Sequence, residues 1–177
     1  ATLARLAGVR RIITTDHLPM VEPFARARVF RSVHLPHVSR FITVSEDNRR
    51  HMTGKHGVPA DRIRVVYNGI PDPGHPAGRP AGKDKVDLLI AGSLEERKGH
   101  SVLFRAMEEL PGNVRLTVAG DGPLRGELES KANGRIDILG AVDDMRSLMA
   151  RCDILAVPSL LEATPYVILE AMAAGKP

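Results

Sequence analysis

Tryptophan is absent from this chain, and aromatic residues make up only 3% of its 177 positions. That excludes a stacking platform for single-stranded nucleic acid and leaves the core to Leu, Val, Ile, Ala and Met. Cysteine is almost missing as well. Cys152 stands alone, which rules out an internal disulfide and fits a reducing compartment. It precedes an apolar run and reads as a small core hydrophobe rather than a nucleophile. No apolar run approaches the roughly 20 residues of a transmembrane helix, and the sequence opens on no signal-peptide pattern. Metal ligands do not cluster. His34 and His37 are spaced for one helix face, but nothing else joins them, and Asp-x-Asp occurs nowhere.

What is present reads as an ordinary soluble globular protein, 43% hydrophobic and 26% charged. The net charge is +4 and the pI near 9.6, yet Lys and Arg are scattered among acids. Ligand phosphates and an anionic surface account for the excess equally well, and a nucleic-acid role is not indicated. Short apolar runs alternate with helical patterns, which implies parallel α/β sheets. Strands are expected over Arg11 to Thr15, Phe41 to Ser45 and Ile63 to Tyr67, with a helix from Ser45 toward His56 and a turn pair at Asn68-Gly69. Residues 71–85 are too rich in Pro and Gly for a regular element and read as a linker. Beyond it come strands at Val86 to Ala91, Val114 to Ala119, Ile136 to Leu139 and Asp153 to Val157. Helices at about His100 to Leu110, Pro123 to Ala132 and Asp143 to Arg151 separate them.

The C-terminal stretch carries the most chemistry. Asp153 to Val157 reads as a strand buried in a parallel sheet. After it, Thr164 is placed to cap a helix, Pro165 to open it and Gly175 to follow its end. Glu162 then lies on the connecting loop. Glu170, eight positions on, lies inside the helix and leans back toward the carboxyl edge of the sheet. Open α/β sheets bind their ligands at that edge. The amides of Thr164, Tyr166 and Val167 face the same place and favour an anion. Two carboxylates for hydroxyl groups and a helix N-terminus for phosphate suit a nucleotide sugar. The alternative is a pair of solvated helix-end carboxylates.

Glu162 and Glu170, with Pro158-Ser159 before them and Ala171-Met172-Ala173-Ala174-Gly175 after, resemble the E-x7-E motif of retaining GT-B-fold glycosyltransferases, family 4 (glycosyl transferases group 1). Val44-Ser45-Glu46 and Val66-Tyr67-Asn68-Gly69-Ile70 match further landmarks, so the resemblance covers nearly the whole chain. It implies two Rossmann-like parallel-sheet domains, both incomplete. Residues 1–70 would be the C-terminal half of the acceptor-binding domain, and 86–177 most of the donor-binding domain. It further implies that Glu170 binds the donor's ribose and Glu162 the transferred sugar.

Lys98, in Ala91-Gly92-Ser93-Leu94-Glu95-Glu96-Arg97-Lys98-Gly99, matches the family's diphosphate lysine, a point charge for the departing nucleotide. Relatives usually carry an arginine where this chain has Ser93; Arg97 either compensates or faces solvent. Gly120, in Ala119-Gly120-Asp121-Gly122-Pro123, and Val142, in Leu139-Gly140-Ala141-Val142-Asp143-Asp144, match loops beside the donor and its base. Turn geometry alone also explains such glycines, and Asp143 or Asp144 is placed to cap the next helix. His17, after Thr14-Thr15-Asp16, matches a histidine close to the transferred sugar, or is an exposed loop residue.

The resemblance thus implies transfer of a sugar, with anomeric configuration retained, from a nucleotide-diphosphate sugar, UDP- or GDP-linked. The acceptor would be a glycan, a lipid-linked glycan or a small molecule. Without Asp-x-Asp, metal independence is expected, and no cofactor beyond the co-substrate. The basic amphipathic stretch Glu22 to Arg40 either packs on its own domain or touches an anionic membrane. A cytoplasmic location is expected, peripheral on the inner face of the membrane in the second case. The chain reads as a fragment, inactive by itself, with strands near Ile12 and Ile42 open on one side. Two other functions stay open: a nucleotide-sugar epimerase of the same fold, and a non-catalytic nucleotide-sugar-binding module, which Ser93 favours.

Overall fold

The computed structural model describes residues 1–17, 32–33, 35–72 and 84–177. They divide into two compact units, Ala1–Asn68 with Glu162–Thr164, and Gly69–Leu161 with Pro165–Pro177. Glu162–Thr164 therefore counts with the first unit, although sequence puts it in the second half. Most of the Pro/Gly stretch 71–85, most of Glu22 to Arg40, and His34 lie outside the described residues.

In the first unit, α1 (Thr2–Leu6) leads to β1 (Ile13–Asp16), β2 (Arg40–Thr43), α2 (Glu46–His56) and β3 (Ile63–Val65). The strands are parallel in the order β1-β2-β3. Helix α2 begins as its sequence dictates. Ser45 Oγ accepts the Asn48 amide at 3.1 Å, Glu46 and Asp47 occupy the positive end of the dipole, and Gly57 at φ 63° ends the helix. Among the described residues, the core beneath it is made of Val38, Phe41, Met52, Val58 and Ile63.

Three expectations change here. β3 stops at Val65, and Val66 and Tyr67 are 55% and 66% exposed. Asn68 is not assigned to a turn; its side-chain amide donates to the Thr164 carbonyl at 2.8 Å. Finally, β2, which holds Ile42, is the middle strand, because the chain returns through α2 to lay β3 beside it. Among the described residues β1 and β3 are the edge strands, each with β2 as its single neighbour.

The second unit runs β4 (Val86–Ala91), α3 (His100–Glu109), β5 (Val114–Ala119), α4 (Arg125–Lys131), β6 (Ile136–Gly140), α5 (Met145–Arg151), β7 (Ile154–Leu155) and α6 (Tyr166–Ala173). Its parallel sheet has the order β6-β5-β4-β7. Strand side chains alternate between faces. Leu88 and Ile90 join Phe104, Met107, Leu116, Val118, Leu128 and Ile136, while Leu89 and Ala119 join Met149, Cys152 and Ala171. Helices α3 and α4 thus cover one face, and α5 and α6 the other.

β7 is shorter and less buried than its sequence suggests. It has two residues, and Ile154 is 38% exposed at the edge of the sheet. The Asp153 carboxylate takes over at its start, accepting the Asp87 amide at 2.9 Å. Burial pushes the thiol of neighbouring Cys152 above its ordinary pKa, as expected of a core hydrophobe. The chain winds outward from β4 through β5 to β6, then crosses back to place β7 on the other flank of β4. The topological switch point therefore lies between β4 and β7, where doubly wound sheets open a crevice.

Candidate functional site

The loops leaving β4, β5 and β6 are laced together at the carboxyl edge. The Gly92 amide donates to Ala119 O at 2.9 Å, and the Gly120 amide to Gly140 O at 2.7 Å. Gly92 and Gly120 have φ of 146° and 148°, a region closed to most side chains. Space excludes a side chain as well, since a Cβ on Gly120 would fall 1.9 Å from Gly92 O, and one on Gly122 2.7 Å from the Leu94 backbone. The Gly-x-Gly is a close approach of two backbones, which is more than a turn requires.

Lys98 ends the short 3-10 turn Glu96–Lys98 in that β4 loop. Its Nζ would lie 3.7 Å from a Cβ on Gly92, so the ammonium sits over the glycine backbone at the end of β4. Gly99, at φ 72°, has no room for a Cβ either: it would meet Pro158 O at 2.1 Å. The Leu160 amide donates to Arg97 O at 2.8 Å. The loop after β7 is thus docked on the turn that carries Lys98. Gly92, Lys98, Gly120 and the Pro158 loop converge at the switch point.

The remaining expected residues are placed less uniformly. Ser93 is half-buried beside Gly92. Arg97 neither faces solvent freely nor stands unpaired, because its Nε donates to Glu95 at 2.8 Å. Val142 and Val167 pack against the Leu89–Met149 core cluster. Tyr166 is exposed at the first turn of α6. Thr164 does not cap that helix. Pro165 holds the cap position, with no side-chain hydrogen bond to the helix amides, and the Thr164 hydroxyl instead donates to Val44 O at 3.2 Å. Gly175, at φ 65°, follows the helix end as its sequence suggests. Glu162 and Glu170 are both half-buried, the first in unit one and the second in unit two. His17 is exposed just past β1.

Asp144, one of two candidate caps, accepts the Ser147 amide at 3.0 Å. The Ser147 hydroxyl and amide hold its carboxyl below the ordinary carboxylate range. Three contributors escaped the sequence reading. Arg125 bridges Asp121 and Glu129 at 2.8 Å each and lies over Gly140, where a Cβ would meet its Nη1 at 2.9 Å. Gly99 is fixed by Pro158, a contact no local pattern announces. His100, first residue of α3, is 1% exposed, and neither ring nitrogen has a hydrogen-bond partner. Burial drives its pKa down; the Glu95 backbone opposes this from outside hydrogen-bond geometry, and the Lys98 charge adds to the lowering. Among the described residues no group of three or more His, Cys, Asp or Glu could hold a metal ion. No described helix is long and apolar enough to cross a membrane.

Parallel α/β units, the second with glycine-closed loops and a lysine at its switch point, share the fold of solved GT-B glycosyltransferases. The chain belongs to the glycosyltransferases: residues 85–177 match the family described as glycosyl transferases group 1, and residues 1–72 match glycosyltransferase family 4. It is 31% identical over 201 residues to EpsF of Bacillus subtilis (strain 168), covering all of this chain and 52% of that protein. To the D-inositol 3-phosphate glycosyltransferase of Mycobacterium tuberculosis (strain ATCC 25177 / H37Ra) it is 30% identical over 158 residues, covering 78% of this chain and 33% of that one. The crystal structure of Anabaena Alr3699/HepE with UDP and glucose has the same fold, with a TM-score of 0.84 at 24% identity, over 99% of this chain and 54% of that one. The chain therefore spans about half the length, or less, of these relatives.

Proposed function

We propose that the protein transfers a sugar from a nucleotide-diphosphate sugar, UDP- or GDP-linked, to an acceptor, retaining anomeric configuration and using no metal. One observation carries the reading: in a chain of this family, the Lys98 ammonium sits over the Gly92 backbone at the β4/β7 switch point. A cation there meets the donor diphosphate and stabilises the negative charge that grows as the nucleotide departs. Front-side attack assisted by that leaving group then preserves the configuration. Glu170 holds the ribose, Glu162 and His17 hold the transferred sugar, and the amides of Tyr166 and Val167 meet phosphate oxygens. Val142 borders the base. The HepE complexes with UDP and with UDP-glucose support a uridine donor.

The acceptor is a glycan, a lipid-linked glycan or a small molecule, the last supported by a relative named for D-inositol 3-phosphate. The proposed location is the cytoplasm, with Glu22 to Arg40 either packed on its own domain or in peripheral contact with the inner membrane face. The present chain by itself is inactive. The test uses a longer form containing these residues, incubated with UDP-glucose or GDP-mannose and candidate acceptors, with and without a chelator. Expected is a product with the donor's anomeric configuration, formed equally with the chelator present. A product of inverted configuration, or strict dependence on Mg²⁺ or Mn²⁺, contradicts the proposal. A second reading, a non-catalytic nucleotide-sugar-binding module, draws support from the engagement of Arg97 by Glu95, which leaves Ser93 without an arginine to stand in for it. Donor binding with neither transfer nor hydrolysis would favour it.

A further inference from the structure

A second cationic cluster lies in the first unit, at the amino-terminal ends of its strands. Arg10 precedes β1, Arg40 opens β2, and Arg62 closes the 3-10 turn Ala60–Arg62 that runs into β3. The parallel register sets Ile13 beside Arg40 and Phe41 beside Ile63, so these amino ends stand side by side and the three arginines share one edge. Arg5 joins them from the end of α1. Its guanidinium is oriented by the Arg10 carbonyl at 2.9 Å and the Val9 carbonyl at 3.3 Å. Arg40 is likewise tied, through Nη1, to Ser39 O at 3.1 Å.

Arg5, Arg10, His37, Ser39, Arg40 and Arg62 line an open cavity of about 280 Å³, and no Asp or Glu is among the described residues that line it. None of the four guanidiniums forms an ion pair with a described carboxylate, although Arg49, Arg50, Arg97 and Arg125 each do so elsewhere. Four cations around one cavity, with no described carboxylate paired to them, repel one another, and a bound anion relieves that repulsion. Planar guanidinium forks match the oxygens of a phosphoryl group in bidentate fashion, and a neighbouring hydroxyl adds a donor.

We propose that this edge is a binding site for a phosphoryl group, separate from the donor site and built only from residues of the first unit. The same chemistry is offered by the headgroup of an anionic lipid and by the phosphate of a soluble ligand. The whole chain would be titrated with inorganic pyrophosphate and, separately, sedimented with vesicles of phosphatidylglycerol in phosphatidylcholine. The double variant Arg10→Gln/Arg40→Gln should weaken pyrophosphate binding by about tenfold or more, since two charge-assisted contacts are lost. The variant Arg49→Gln/Arg50→Gln, with the same loss of charge on α2, should change it by less than about twofold. Lys98→Ala keeps this binding, which separates it from any at the donor site and makes its failure distinct from a failure of the sugar-transfer reading.

Vesicle binding that also falls in the Arg10/Arg40 variant assigns the site to a lipid phosphate; pyrophosphate binding without vesicle binding assigns it to a soluble ligand. Equal binding by wild type and the Arg10/Arg40 variant, or equal loss in the Arg49/Arg50 control, overturns the proposal. If the double variant unfolds, Arg62→Gln is read by the same criteria.

Discussion

At the carboxyl ends of β4 and β5 the backbones approach until only glycine fits, whereas in the first unit Gly57 turns left-handed in open space. Both are positive-φ glycines following regular elements, yet a Cβ on Gly120 would strike Gly92 O at 1.9 Å and one on Gly57 would meet nothing within 4 Å. The cores differ in the same direction. The second unit buries both faces of its sheet, while among the described residues the first packs five buried side chains into one cluster and leaves Leu3, Leu6 and Ile13 exposed. Dense packing on both faces is what holds a ligand edge rigid. The unit that carries Lys98 has it.

The largest effect that could break this contrast is at the glycines. Gly120→Ala should destabilise the chain by about 4 kcal/mol or more, because backbone clash adds to an unfavourable φ. Gly57→Ala should cost only about 1 kcal/mol, since φ alone opposes it. Urea unfolding of the two variants reads the difference, and similar midpoints would mean that the loops are not locked together.

Next comes the core. Leu116, fully buried under α3 and α4, should lose about 2–5 kcal/mol on change to Ala. Leu6, 80% exposed, should lose no more than about 0.5 kcal/mol. A Leu6→Ala cost as large as Leu116→Ala would show that the α1 face is covered in solution.

His100 sharpens the comparison through pH. Its folded-state pKa lies below the ordinary 6.5, so the unfolded chain takes up the proton first as pH falls. The stability held by the neutral ring is present above about pH 6.5 and is lost progressively below it, toward the depressed folded value. Thermal melts between pH 7.5 and 5.5 should show this fall in wild type and a shallower one in His100→Leu. Equal slopes would mean that the buried ring does not report on the second unit.

The smallest effect concerns Thr164. Losing its hydrogen bond to Val44 O should cost about 0.5–1.5 kcal/mol in Thr164→Ala, without the helix-cap signature of reduced α6 helicity. A clear loss of helical circular dichroism would restore the cap that Pro165 displaces here.

Legibility followed the range of the interactions. β4 and β5 emerge with the bounds their apolar runs suggest, and α2 with its Ser45 cap and its run to His56, because periodicity and capping are local. β3 and β7 came out short, since strand length depends on what lies alongside. β7 yields at once to the Asp153 carboxylate, and the Asn68-Gly69 pair is used for a bond to Thr164 that no turn rule contains. At the candidate site, the strand-to-loop pattern put Lys98, Gly92 and Gly120 at the carboxyl edge, beside the loop after β7, while their donor roles came only from the family resemblance. Gly99 against Pro158, the Arg97–Glu95 pair and the burial of His100 were not, because each depends on a contact or a degree of burial that the local pattern does not carry.

The account rests most on Lys98 meeting a nucleotide diphosphate. Calorimetric titration of UDP, with GDP in parallel, into the chain and into its Lys98→Ala variant tests this directly. Loss of one charged contact should weaken the preferred nucleotide by about 1.5–3 kcal/mol, roughly 10- to 150-fold in Kd, with the fold intact by circular dichroism. Unchanged affinity in a folded Lys98→Ala variant would contradict it.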